Sequence, residues 1–520
     1  MVSLAKVLVI GLDSADPSLL LKWCESGDLP VLQSLKKNGV YGELKGLPAM
    51  GDDATWGSFS TTVSPAKHGR YYWKAIQIGS YNTPQFRHQD FKHEPFWADL
   101  SRAGRRVAII DVPKSPVLES FNGIQLSDWL VHGRDRETCS FPPDLATNIL
   151  NSFGDDKTDR WGSSEYLCRM EALSEDKYEL FYQRLIESIE QKLAVSLQLL
   201  SDGNWDLFLT VFKESHCAGH QLWHLHDRQH CRYDPALVEK FGNPVKRIYQ
   251  ALDSAIGKIL NFVGTEVNVI IFSDLGMGNN YTGESFLDEI LLRLESPVTP
   301  KKQLLDWLNN YLDRPVTSKK HFIDRLNRCF LREIRMKLFS NHELHPHAHC
   351  RAFQLEHNFI SGTIRINLKG REPAGKVLPG REMEELCAVL TKDLAELINP
   401  DTGELIVERV LRTNLLFDGE HQNSLPDLLV LWNQSAPITA VASPKIGEIR
   451  LQIPEYQTGN HIVNGIYFGC GSSVTANDCS SPASIMDIGP TIAMLLNTKL
   501  TNTEGKPIAA FSKEETIKDR

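Results

Sequence analysis

No Cys-x-x-Cys pair occurs in the chain, although it carries ten cysteines, at 24, 139, 168, 217, 231, 329, 350, 387, 470 and 479. Their scatter removes zinc-ribbon and thioredoxin-like readings, and in a chain of 520 residues it suits reduced thiols in a cytoplasmic protein. No run approaches the roughly 18 apolar residues of a membrane span, so no membrane association is expected. The opening MVSLAKVLVIGLDSADP breaks its short apolar run at Lys6 and reaches Asp13 without a small-residue cleavage site, which does not fit a signal peptide. Excess positive charge is missing too. The formal net charge is -9, and nucleic-acid binding needs a basic face, so no such surface is expected. Internal repeats and low-complexity tracts are also absent.

What remains is ordinary for a soluble globular protein: 42% hydrophobic and 23% charged residues, enough for a sizeable core. A mildly acidic chain still binds a small anionic substrate when metal ions or local Lys and Arg supply positive charge. The oligomeric state is not legible.

Short apolar runs alternate with longer amphipathic stretches, the signature of an α/β protein with a largely parallel sheet flanked by helices. The strand candidates are KVLVIGL (6–12), RVAIIDV (106–112), DLFLTVF (206–212), EVNVIIFSD (266–274), DLLVLW (427–432) and NGIYFGC (464–470). Most are apolar almost throughout, as strands buried on both faces are. Helices are predicted near 176–200, 244–262, 382–397 and 483–496. The texture changes at about 285–350, where LLDWLNNYL and KKHFIDRLNRCFLREIRMKLF read as helices. In the second, Phe322, Ile323, Leu326, Phe330, Ile334 and Leu338 recur at helical spacing as a core-facing stripe. Its Lys319, Lys320, Arg325, Arg328, Arg332 and Arg335 make a solvated face or a substrate-facing cap. The expected division is a core of 1–285 and 361–520 with a helical insertion or cap at 286–360.

Ligands of such folds lie at the carboxyl ends of the strands. VIGLDSADP puts Asp13 there, FSDLGMG puts Asp274 there, and FKESHCAGH follows the 206–212 strand. That last segment spaces His216 and His220 four apart, on one side of a helical turn. TGNHIVNGIYFG sets His461 between glycines. Each piece alone has a plain structural reading, as a helix cap or a packed histidine. Together, imidazoles and carboxylates at several strand ends suit a divalent metal.

With these pieces in place the chain resembles the alkaline phosphatase superfamily, in its type I phosphodiesterase/nucleotide pyrophosphatase-like branch. The resemblance covers nearly the whole chain: GLDSADP, LPVLQSLKKNGVYGEL, the Trp56–Gly69 block with SPAKHG, ESHCAGHQLWHLHD, SDLGMG, INLKGREPAG, LPDLLVLW and DIGPTIAMLL. It implies an alkaline-phosphatase-like fold and a bimetallic site around a Thr or Ser nucleophile. Asp13 and Asp274 match carboxylate ligands of one metal, and His220 and His461 match imidazole ligands of the other. Three positions depart from that pattern. Leu275 stands where a His is usual, His216 where an Asp is usual, and Asp52 at the nucleophile.

The departures have a physical reading. His216, His220 and His461 become a three-imidazole site for zinc. Asp13, Asp52 and Asp274 become an oxygen-only site for a second ion: magnesium, manganese, calcium or zinc. Asp52 is then a ligand or base, a carboxylate nucleophile, or the mark of a lapsed site, with Thr55 the alternative nucleophile if the loop slips. Glu214 is a candidate acid/base or orienting group, and Lys213 a candidate anion contact. His342, His345, His347 and His349 form a separate, loop-borne cluster with metal-like density. By the resemblance, GREPAG (370–375) borders the substrate pocket. The function expected is a metal-dependent hydrolase of phosphate esters, a phosphodiester or pyrophosphate. The rivals are a non-hydrolytic group-transfer or elimination enzyme on the same scaffold, and a catalytically lapsed ligand-binding member.

Overall fold

The computed structural model describes residues 5–512 except 133–136, 159–166, 168–169, 296–344, 359, 453–454 and 476–479. In chain order its strands are β1 (Ala5–Leu12), β2 (Val40–Lys45), β3 (Val107–Ile110), β4 (Gly123–Ser127), β5 (Cys139–Phe141), β6 (Trp205–Phe212), β7 (Asn268–Ser273) and β8 (Gly276–Asn279). Then come β9 (Ala352–Leu355), β10 (Ser361–Ile366), β11 (Val407–Arg412), β12 (Leu428–Trp432), β13 (Ala440–Ser443), β14 (Gly447–Arg450), β15 (Gly459–Ile462), β16 (Asn464–Cys470) and β17 (Ala483–Ser484).

Nine strands form the central sheet, ordered β17-β2-β16-β7-β1-β6-β3-β4-β5. β1 runs parallel to both β6 and β7, and β3 parallel to β6 and β4. The continuous apolar run of β1 has the burial this predicts, with alternate side chains entering opposite layers. Leu8 and Ile10 pack with Phe181, Leu185, Ile248 and Leu252 of the helices Tyr178–Asp202 and Pro244–Val263. Val7 and Val9 pack with Trp56, Phe59, Ile488 and Ile492 on the other face. Helices therefore cover both faces of a largely parallel sheet.

Two expected members of that sheet differ from the parallel pattern. NGIYFGC forms β16, but antiparallel to β7 and β2. DLLVLW forms β12 in a separate four-stranded antiparallel sheet, ordered β11-β12-β10-β9. The Arg381–Ala395 helix, expected near 382–397, packs in the core of this second sheet, through Leu386, Leu390 and Leu394. An inner antiparallel strand covered on both faces reads as apolar as a parallel one: Leu428, Val430 and Trp432 enter one cluster and Leu429 another. Periodicity alone cannot separate the two cases. The basic helix with its Phe322–Leu338 stripe lies outside the described residues. The described flanks of the 286–360 segment, helix Glu284–Glu295 and strand β9, join the second sheet's cores.

Candidate metal centre

Because β1, β6 and β7 are parallel neighbours, their carboxyl ends open on one edge. Asp13 follows β1, its N–H donating to the Phe212 carbonyl at 2.8 Å. The Glu214–Leu222 helix, buried along its whole length, starts where β6 ends. Asp274 follows β7, and the chain turns back into β8, which pairs antiparallel with β15 so that His461 lies opposite Met277. Gly459, at the start of β15, approaches the Gly219 carbonyl so closely that any side chain there would collide with it. That approach joins the histidine helix to the His461 strand.

The result is one group of three buried imidazoles. A ring nitrogen from each of His216, His220 and His461 lies within 4.8 Å of the other two. Ring centroids are 4.5 Å apart for His216–His220 and 4.7 Å for each of the two to His461. Their other nitrogens set the tautomers. His220 Nδ1 donates to Gly459 O at 2.8 Å, which leaves Nε2 with its lone pair. His216 Nδ1 lies 2.9 Å from Asp13 Oδ2, and His216 Nε2 has no partner among the described residues. His461 Nδ1 is likewise buried without a partner. Burial, then the neighbouring imidazoles, holds His220 well below the usual histidine range and His461 at about 3. Three buried imidazoles whose ring nitrogens lie this close, two of them with orphaned nitrogens, fit a zinc-like divalent ion.

The carboxylates behave differently. Asp13 is second to the imidazoles: Oδ2 meets His216, and Oδ1 accepts from Trp56 Nε1 at 3.1 Å. Asp274 Oδ1 accepts from the Ser14 N–H at 2.9 Å, and its Oδ2 is buried without a partner among the described residues. Burial, followed by the charge of Asp13, pushes Asp274 well above the usual carboxylate range. Asp52 opens the Asp52–Thr61 helix and is already engaged at both oxygens. Its Oδ2 is ion-paired with Lys114, and its Oδ1 accepts from Asn358 Nδ2 at 3.0 Å. Burial acts to raise Asp52, but Lys114 and the imidazoles outweigh it and hold the carboxyl well below its usual range. Asp13, Asp52 and Asp274 are therefore neighbours, yet among the described residues they do not form a group with ligand spacing. In this arrangement Asp13 meets His216 and Asp52 meets Lys114.

Other expected residues fall elsewhere. Thr55 is buried, and its hydroxyl donates to the Gly51 carbonyl of its own helix at 2.9 Å. Glu214, two positions from His216, faces the helix Tyr178–Asp202 and accepts from Ser188. Lys213 is buried against Asp156 and Thr158. In the loop cluster His342 lies outside the described residues, while His345 and His347 pack on Tyr81 and Phe353. In the GREPAG turn, Arg371 is locked in a two-pronged pair with Asp427, at 2.8 and 2.6 Å.

Three residues at the centre were not anticipated. Lys114 follows β3, so it too stands at a parallel strand's carboxyl end, and the segment DVPKSP carried that signal. Asn358 reaches the centre from the β9–β10 connection; a side chain at Gly51 would overlap its amide. His132 sets its ring centroid 4.1 Å from that of His216 and 6.0 Å from that of His220, tilted to both, and no sequence pattern marked it.

A buried imidazole group that could hold a metal ion thus lies at the carboxyl edge of a parallel sheet, flanked by carboxylates. The family model described as type I phosphodiesterase/nucleotide pyrophosphatase matches residues 7–461, and the chain belongs to that family. Membership places it in the alkaline phosphatase superfamily, among metal-dependent phosphoester hydrolases acting on small anionic phosphate substrates. A search of curated protein sequences found no significant match. Among solved structures it is similar to murine ectonucleotide pyrophosphatase/phosphodiesterase 5, at 12% identity and TM-score 0.49, over 96% of this chain and 97% of that one. The human counterpart gives 12%, 0.48, and 96% and 97%. Phosphonoacetate hydrolase from Sinorhizobium meliloti 1021, in complex with phosphonoformate, gives 12%, 0.49, and 95% and 96%. No helix among the described residues is long and apolar enough to cross a membrane.

Proposed function

We propose that the chain hydrolyses a phosphate diester or pyrophosphate, using a divalent ion, zinc by donor type, held on His216, His220 and His461. The observation that carries this reading is the convergence of three buried imidazoles with orphaned or lone-pair nitrogens from two distant segments. Such an ion supplies Lewis acidity toward a phosphoryl oxygen and makes water reactive near neutral pH. The chain's own groups do the rest. Asp13 and the Gly459 carbonyl fix the imidazole tautomers, as outer partners of metal ligands do. Thr55 is bonded back to its helix and both Asp52 oxygens have partners, which favours water over either side chain as the nucleophile. Water attacks, and Asp52, at the position of the family's hydroxyl nucleophile, orients it. Glu214 has no part in this chemistry, since it faces Ser188. A cytoplasmic setting belongs to the reading, supported by the scatter of the ten cysteines without a Cys-x-x-Cys pair.

The test is hydrolysis of bis(4-nitrophenyl) phosphate and 4-nitrophenyl phosphate by purified, zinc-supplemented protein, with metal content measured alongside. Turnover of the diester that disappears on chelation is expected. Inert protein with a full metal complement would instead indicate group-transfer or elimination chemistry. Inert protein that takes up no metal would indicate a ligand-binding member.

A further inference from the structure

The family's second metal does not fit the residues present here, and we infer that the ammonium of Lys114 occupies its place, so that the centre takes a single divalent ion. This inference rests on the imidazole centre proposed above and adds a positioning residue to it.

The observations are independent of one another. Lys114 sits in the loop that leaves β3, with its side chain 8% exposed and its Nζ paired to Asp52 and 3.6 Å from Asp53. Its backbone holds φ at 51°, a left-handed conformation uncommon for a non-glycine residue; nearby Asp111 has φ 54°. Such geometry persists only where surroundings enforce it, and it concentrates at functional sites. Here Asp111 is anchored by the N–H groups of Trp129 and Leu130, at 2.9 and 2.8 Å, and by Lys192. The loop is thus built to present an ammonium to Asp52.

Of the carboxylate oxygens discussed for a second ion, Asp274 Oδ2 is left without a partner among the described residues, and the others are engaged within the protein. Asp52 Oδ1 takes Asn358, Asp13 Oδ2 takes His216, and Asp53 takes Arg70. Leu275, fully buried, supplies an apolar wall next to Asp274 where the family has an imidazole. With an ion on the imidazoles, Lys114, which lies near His461 and holds Asp52, would supply a second fixed positive charge toward a phosphoryl oxygen and would keep Asp52 in place.

Zinc and manganese bound per chain, counted by plasma mass spectrometry after dialysis and by calorimetric titration of the apoprotein, decide the matter. One ion per wild-type chain is expected. Two would overturn this inference and leave the imidazole centre standing; none would overturn both. Lys114→Ala should take up a second ion and lose about 100-fold in kcat on bis(4-nitrophenyl) phosphate. Lys114→Arg should keep one ion and remain within about tenfold of wild type, a rescue that a merely structural lysine would not require. A folded Lys114→Ala protein that still binds one ion, or keeps wild-type kcat, would refute the assignment. Should that variant not fold, as judged by circular dichroism melting, Lys114→Gln is read by the same two criteria.

Discussion

The imidazole and carboxylate halves of the centre arise from one sheet edge and are prepared in opposite ways. His216, His220 and His461 keep nitrogens free by binding their other ring atoms to Asp13 and the Gly459 carbonyl, or by leaving them bare in a buried space. Asp52 and Asp53 are already neutralised, by Lys114, Asn358 and Arg70. One half is a set of donors awaiting a cation. The other pairs Asp52 and Asp53 with Lys114 and Arg70, where loss of one partner would leave a costly uncompensated buried charge, and leaves one Asp274 oxygen without a partner among the described residues. Adjacent groups of the same chemical type can thus hold different roles, set by what their outer atoms touch.

The comparison is broken most directly on the imidazole side. His220→Ala should abolish stable zinc binding and lower diester hydrolysis by about 1,000-fold or more, measured as metal content and kcat/KM; unchanged metal content would remove this half from the site. Asp52→Asn, which keeps the shape and removes the charge, should lower kcat by about 100-fold while zinc content stays at the wild-type level. Loss of zinc from that variant would make Asp52 a ligand and erase the contrast between the halves. Asp13→Asn should weaken zinc affinity by about 10–100-fold through the freed His216 ring, read by competition with a chelating dye. The smallest effect is expected of Thr55→Val. It should cost about 1 kcal/mol in denaturant unfolding, from the lost bond to Gly51, and change kcat less than twofold. A 100-fold fall in kcat would restore Thr55 as the nucleophile.

Much of this was legible in the chain. The strand ends bearing Asp13, His216 and Asp274 follow from buried apolar runs that stop at polar residues, and the i, i+4 spacing put His216 and His220 on one side of a helix. Lys114 stands at the same kind of strand end, after β3, but was not singled out. Asn358 could not be read at all. It comes from a connection in the second sheet, 306 residues beyond Asp52, and only docking of that sheet brings it in. The second sheet itself was hidden because a covered antiparallel strand such as β12 has no alternation to betray it.

By itself, the sequence determined the local periods: which runs bury both faces, where they stop, and which histidines share a helical turn. Those are properties of neighbouring residues and need no knowledge of the rest of the chain. Only the tertiary structure decided that Asp13 would serve an imidazole and Asp52 an ammonium. A carboxylate's partner is chosen by whatever charge lies within a few ångströms, and here that proximity is created by chain crossings tens to hundreds of residues long.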